Sequence, residues 1–298
     1  MLSYSKIRLP LLSCLMLLVG LSLSTAPALA DGNVLRSFDV PIILPARQAI
    51  YWPIGVTFDG TNLYYSQPAV SPKDIFHITT TGTLLNTLSA LNQAGALAWD
   101  GNHLWVGVYS SSPINCTPGV SGCALIYEVD PSTDSITNTV DISAVFATDQ
   151  ECNIIDGLSY DPSSGSFWVS PDPGCLFGVG IDGCSIGYAY NVDTSGNLLR
   201  RLVFPFGVSG VASAGHFVYI VDRCGTGSVS IDKTTLSGSV VSSFPIAQVD
   251  PRSWAESIAF DPVTFAPSCA LWTMQPYSVS SPQLTFPADI VAYQVGCH

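Results

Sequence analysis

The chain has 298 residues, 22 of them acidic, 10 Lys or Arg and four His, for a formal charge of −12. Polyanions would be repelled by that balance, so nucleic acid is excluded as a partner. Charged residues make up only 11% of the chain, while Val, Ile, Thr, aromatics, Gly and Pro abound, a composition of strands and turns.

Residues 1–30 read as a signal peptide. Lys6 and Arg8 form a basic start, Leu9 to Ser24 is apolar, and Ala28-Leu29-Ala30 is a small-x-small cleavage site. The apolar run is short for a membrane span and lacks a basic stop, so no stable anchor is expected after cleavage. Cys14 lies too early in that run for a lipoprotein box. Cleavage removes Lys6 and Arg8, leaving eight basic residues against 22 acidic and a formal charge of −14. The expected product is a secreted or periplasmic monomer, one domain spanning 31–298.

Residues 32–38, GNVLRSF, resemble three later segments: GTLLNTL (82–88), GNLLRRL (196–202) and GSVVSSF (238–244). Between them runs a β-hairpin that recurs five times. It reads GVTFDGTNLYY (55–65), ALAWDGNHLWV (96–106), GLSYDPSSGSFWV (157–169), GVASAGHFVYI (210–220) and SIAFDPVTFAPSCALWT (257–273). Asp-Gly and Asp-Pro suit tight turns, because Asp bonds its own backbone and Gly admits positive φ. The fourth copy has Ser213-Ala214 where the others have aromatic-Asp.

A third strand follows each hairpin: IFHI (75–78), IYEV (126–129), AYNV (189–192), VSI (229–231) and AYQV (292–295). A fourth follows four of them, SITNTV (135–140) being the degenerate copy. The fifth fourth strand is missing from its place, and GNVLRSF stands in front. Hairpin starts at 55, 96, 157, 210 and 257 give the spacing of propeller blades. The expected fold is therefore all-β, a five-bladed β-propeller of four-stranded antiparallel blades, with the N-terminal strand closing the last blade. The alternatives are a sixth, degenerate blade, or two β-sandwich domains.

This strand order puts short turns on one face and long connections on the other: 66–74, 107–125, 142–156, 170–188, 245–256 and 274–289. Five of the eight remaining cysteines fall in these connections, and Cys224 lies on the same face in the loop just before VSI. Behind a signal peptide an even number implies disulfides. Cys116–Cys123 and Cys175–Cys184 are expected as local staples. Cys152 and Cys224 remain to pair, with exchange against Cys175 or Cys184 open. Cys269 and Cys297 flank antiparallel neighbours and should fasten the closing blade.

The residue before each innermost strand should stand at the long-loop mouth of the central channel: Ile54, Gly95, Asp156, Ser209 and Glu256. Asp156 and Glu256 are candidates for a structural role, for Ca²⁺ ligands or for a catalytic acid/base pair. Asp149 and Glu151 are near in sequence. Tyr51, Trp52 and Trp254 lie in the same connections and are candidates for a binding platform or inter-blade packing. Asp222 and Arg223, just after the second strand of the fourth blade, are candidates for a surface pair or a ligand contact. The turn residues Asp59, Asp100, Asp161 and Asp261 are expected to be structural. No histidine cluster, P-loop, GxSxG or strand–GxGxxG–helix pattern is present.

These hairpins resemble those of secreted bacterial propellers with NHL-like, YVTN-like or gluconolactonase-like repeats. The resemblance covers nearly all of residues 31–298 and implies a propeller. The five-blade count is also similar to that of plant-type glutaminyl cyclases, but their acidic Tyr-Glu-Ser segment is absent, so that activity does not carry over. Two functions are expected to compete. One is a binding module for a protein or glycan on the long-loop face. The other is a Ca²⁺-dependent, lactonase-like hydrolase or lyase at the channel mouth.

Overall fold

The computed structural model describes residues 31–44, 52–69, 73–109, 120–151, 153–173, 185–223, 229–247, 253–277 and 287–297. The 1–30 segment lies outside them. Strand β1 (Val34–Asp39) comes first in the chain. Blade 1 holds β2 (Val56–Phe58), β3 (Leu63–Ser66), β4 (Ile75–Ile78) and β5 (Leu84–Leu88). Blade 2 holds β6 (Ala94–Trp99), β7 (Leu104–Val108), β8 (Leu125–Asp130) and β9 (Ser135–Asp141). A short helix, α1 (Ser143–Ala147), then precedes blade 3, which holds β10 (Ile155–Asp161), β11 (Ser166–Pro171), β12 (Gly187–Asp193) and β13 (Leu198–Phe204). Blade 4 holds β14 (Val208–Ala214), β15 (Phe217–Asp222), β16 (Ser230–Thr235) and β17 (Val240–Pro245). Blade 5 takes β18 (Ile258–Asp261), β19 (Cys269–Pro276) and β20 (Ala288–Val295), and its sheet order is β1-β20-β19-β18.

The N-terminal strand therefore completes the last blade. Phe38 pairs with Ile290 and Arg36 with Ala292 in an antiparallel ladder. All five sheets are four-stranded and antiparallel. A ring needs five interfaces for five blades, and each has its own apolar cluster. Leu63 and Trp272 belong to the cluster between blades 1 and 5, Tyr64 and Leu97 to that between 1 and 2. Trp105 and Phe167 lie between 2 and 3, Trp168 and Val218 between 3 and 4, and Tyr219 and Tyr293 between 4 and 5.

The hairpin turns explain the repeated Asp. One carboxylate oxygen of Asp59, Asp100, Asp161 and Asp261 accepts from backbone N–H groups of its own turn. The other oxygen accepts from a blade side chain: Trp105 on Asp100 and Trp272 on Asp261, both 2.8 Å. In blade 4 the turn is made by Gly215 at φ 62°, so the Asp is not needed.

The small residue that starts each hairpin lets neighbouring inner strands approach closely. A Cβ on Gly157 would lie 2.9 Å from the backbone N of Val211, and one on Gly210 would lie 2.7 Å from the carbonyl O of Glu256. Serine hydroxyls bridge the same seams. Ser170 donates to the Ser209 carbonyl at 3.0 Å and Ser209 to that of Ala255 at 2.9 Å.

The third strand of blade 4 differs from its sequence assignment, and that of blade 5, found where expected, differs in register from the other blades. In blade 4 the strand runs Ser230–Thr235 rather than 229–231, and Thr234 pairs with Val218 where Ile78 pairs with Leu63 in blade 1. In blade 5 Tyr293, not Val295, pairs with Leu271, so AYQV is displaced by two residues. Val295 instead faces Cys269, and Cys269 is bonded to Cys297 across a Cα separation of 5.1 Å. Cys123 is disulfide-bonded as well. Cys116, Cys152, Cys175, Cys184 and Cys224 lie outside the described residues.

Candidate functional site

Two of the five inner strands that ring the axis bring carboxylates to the long-loop mouth. Asp156 sits in a register break of β10 between Ile155 and Gly157. Such a bulge re-aims the side chain it carries. Glu256 stands just ahead of β18, its N–H bonded to the Met274 carbonyl. Both are almost completely buried, at 2% and 1% exposure.

Arg223 follows β15 in blade 4 and reaches across. Its Nη1 lies 3.5 Å from Glu256 Oε2, 3.8 Å from Asp156 Oδ2 and 3.8 Å from Asp172 Oδ1. Three carboxylates from blades 3 and 5 thus face one guanidinium, which remains partly open to solvent. Glu256 Oε1 also accepts from Trp52 Nε1 at 2.7 Å and from Trp254 Nε1. The two indoles meet edge to face, centroids 4.9 Å apart, and the Arg223 guanidinium lies 6.0 Å from the Trp254 ring. Four blades, counting the lead of blade 1 that carries Trp52, converge on this point.

The electrostatics follow from burial. Desolvation pushes the Asp156 carboxyl well above the ordinary carboxylate range, and the charges of Asp172 and Glu256 push it further, with Arg223 opposing. Desolvation also raises Glu256, against Arg223 and the two indole N–H groups. Among the described residues one guanidinium faces these three acids in a dry place.

A second acidic group sits beside α1. Phe146, buried against Tyr190, anchors the helix and sets the chain that follows it. Asp149 accepts from Tyr190 OH at 2.8 Å and from Arg201 Nε at 2.6 Å, contacts that outweigh its burial and hold its pKa low. Glu151 is 2% exposed, and burial, reinforced by Asp149 and Asp172, pushes its pKa up to about 8.

The sign of the resulting pH dependence is fixed by where the proton goes. Folded Glu151 holds its proton up to about pH 8, whereas the unfolded chain releases it near 4.5. Its stabilising contribution is complete below pH 4.5 and is lost as pH rises through 8. Asp149 has the opposite sign and costs stability only as pH falls below 3.8. The expected result is a Glu151→Gln protein whose unfolding midpoint declines less between pH 5 and pH 8 than the wild type, by several degrees in calorimetry. Parallel pH profiles would contradict the assignment.

The site residues named from the sequence separate into three groups. Asp156, Glu256, Trp52, Trp254 and Arg223 come together. Asp222 ends β15, buried and paired in register with Val208 and Ser230. Tyr51 lies outside the described residues. Asp172 was missed, although it follows strand two of blade 3 as Arg223 follows strand two of blade 4. On the short-turn face His103 Nδ1 lies 2.9 Å from Glu128 Oε1 and 3.7 Å from Asp100 Oδ2. Glu128 is opposite Trp105 in the register, a pairing that sequence spacing does not reveal.

Fold and mouth together define a five-bladed propeller with an acid-rich, tryptophan-flanked axial entrance. No protein-family model matches the chain, and no curated protein does. Among solved structures it is similar to the Dos1 propeller, at 10% identity over 80% of this chain and 77% of that one, TM-score 0.39. It is similar to the tail fiber of Staphylococcus aureus phage P68 at 13% identity and TM-score 0.49, covering 88% of this chain but 53% of the fiber, about half its length. BamB from Moraxella catarrhalis aligns at 10% identity over 82% of this chain and 70% of that one, TM-score 0.33. Among the described residues no helix is long and apolar enough to cross a membrane.

Proposed function

We propose that the protein is an extracytoplasmic binding module whose long-loop mouth accepts a cationic group, most simply a Lys or Arg side chain of a protein partner. The observation that carries this reading is the convergence of Asp156, Asp172 and Glu256 on the guanidinium of Arg223. Raised carboxyl pKa values mark a place short of positive charge. A second cation relieves that shortage, and Trp254 offers it a π-face. The overall negative charge steers basic partners toward the molecule.

The test compares an Arg-rich peptide binding to wild type, Asp172→Asn and Asp193→Asn. Asp193 lies in an exposed turn of blade 3 on the opposite face, so both variants lose one charge. Asp172→Asn is expected to weaken binding about tenfold, roughly 1.4 kcal/mol, with Asp193→Asn near wild type. Equal losses would mean non-specific attraction and no site.

The same three carboxylates support a second reading, in which Ca²⁺ is the cation and the propeller is a hydrolase or lyase of lactonase-like type. A divalent ion would have to displace Arg223. Unfolding midpoints in excess Ca²⁺ and in EDTA separate the readings, because a ligand of the folded state raises stability. The binding-module reading expects no difference.

A further inference from the structure

The channel has a second end. Each hairpin carries a residue just before its turn, and in four blades it is aromatic: Phe58, Trp99, Tyr160 and Phe260. All four line a cavity of about 260 Å³ at the short-turn end of the axis, to which every blade contributes. In blade 4 the same position is Ser213, paired with Val218 as Phe58 is with Leu63, so the aromatic ring of residues is broken on one side. Without that departure from the repeat, a fifth aromatic would occupy the space.

The wall is neutral and partly hydroxylic. Among the described residues no charged side chain lines it, while Ser159 and Ser213 do. The turn aspartates behind the aromatics spend their oxygens on their own turns and blades. Ser213 is 8% exposed, and its hydroxyl has no hydrogen-bond partner among the described residues. Its N–H is bonded to Ser159 Oγ at 2.9 Å, which joins the two hydroxyl residues across the seam between blades 3 and 4. A buried hydroxyl left unpaired is costly, and a serine has one side-chain torsion with which to reach a guest.

These features select a guest. An ion would be desolvated without a countercharge. A purely apolar ring would leave the Ser213 hydroxyl unpaired. The volume lies between the roughly 150 Å³ cavity that takes benzene and the roughly 300 Å³ lower bound of drug-sized pockets, so it fits one substituted ring. A pyranose is such a ring: neutral, with C–H surface for the aromatics and hydroxyls for the serines. We propose that this cavity is a binding site for one neutral monosaccharide unit, separate from the acidic mouth.

The experiment titrates the whole protein by calorimetry with methyl α-glycosides of glucose, galactose and mannose, and with glucuronate, glucosamine and indole as controls. At least one neutral glycoside is expected to bind with a dissociation constant on the order of millimolar, with the controls at least about tenfold weaker. Ser213→Phe, which supplies the aromatic found in the other four blades, is expected to abolish binding. Ser213→Ala is expected to weaken it severalfold. Arg-rich peptide binding at the opposite end should be unchanged in both variants, which shows that they are folded. Absence of binding by all three neutral glycosides, equal binding of the controls, or wild-type affinity in Ser213→Phe would each overturn the proposal.

Discussion

A chain lacking residues 31–40 loses its soluble monomeric state. The deletion strips β20 of its outer partner and leaves a long, buried strand with an open edge, a template for pairing with other chains. It also removes Leu35, Phe38 and Val40 from the cluster between blades 5 and 1. At about 1.5–3 kcal/mol for each apolar side chain, discounted for partial exposure, the loss is about 5 kcal/mol. Arg36 adds to this, because its Nη1 donates to the Thr80 carbonyl of blade 1 at 2.9 Å and its guanidinium sits 5.0 Å from the Phe265 ring. Typical domains hold about 5–15 kcal/mol in all, so the expected outcome is aggregation on size-exclusion chromatography. A truncated protein that runs as a monomer with an undiminished midpoint would show that the ring closes some other way.

Trp272→Ala is expected to be the most damaging single substitution at the same seam. The side chain is 0% exposed. It packs with Phe38 of β1 and Phe265 of the hairpin turn, centroids 6.2 and 5.6 Å away, and donates its N–H to Asp261 at 2.8 Å. Truncation leaves a cavity at the closure and a turn carboxylate without its donor. Large-to-small changes of this kind cost about 3–5 kcal/mol, about 10 °C in midpoint for a domain of this size. Trp272→Phe should recover much of the packing and none of the hydrogen bond, falling between. A loss below about 1 kcal/mol, within the range of unremarkable surface changes, would place little of the closure at this tryptophan.

The repeat was legible because its punctuation has a physical cause. Asp caps the hairpin turn, the small leading residue is needed where inner strands touch, and an orphan fourth strand has to pair somewhere. Register was less legible. In blade 5 AYQV slid by two residues, and a slip of two keeps every side chain on its face, so alternation cannot detect it. In blade 4 the third strand was placed too early because its true residues, SIDKTT, are polar. The four central ones are nonetheless buried, by packing such as the Lys233 ammonium 4.0 Å from the Phe217 ring. The outer strands were recognised by paired aliphatics, yet Leu199 and Val241 are over half exposed, so that motif reports strand propensity rather than burial.

The mouth was legible in half. Asp156 and Glu256 could be placed because the repeat fixes the residue ahead of each inner strand. Asp172 holds the repeat position of Arg223 one blade earlier, but nothing local ties the end of β11 to a guanidinium in the next blade. Arg223 was read with its chain neighbour Asp222, whereas its ion pairs reach acids 67, 51 and 33 positions away in sequence, at Asp156, Asp172 and Glu256. Closure of the ring makes those distances small.

Proton release on binding tests the cationic mouth most directly. A positive group arriving beside Asp156 and Glu256 lowers their raised pKa values and drives protons off. Calorimetric titration of the Arg-rich peptide over a series of pH values, at each in two buffers of different ionisation enthalpy, measures that number. The expected result is net proton release in wild type and less in Glu256→Gln. Binding with no exchange of protons, equally tight in Asp172→Asn, would contradict a site at the mouth.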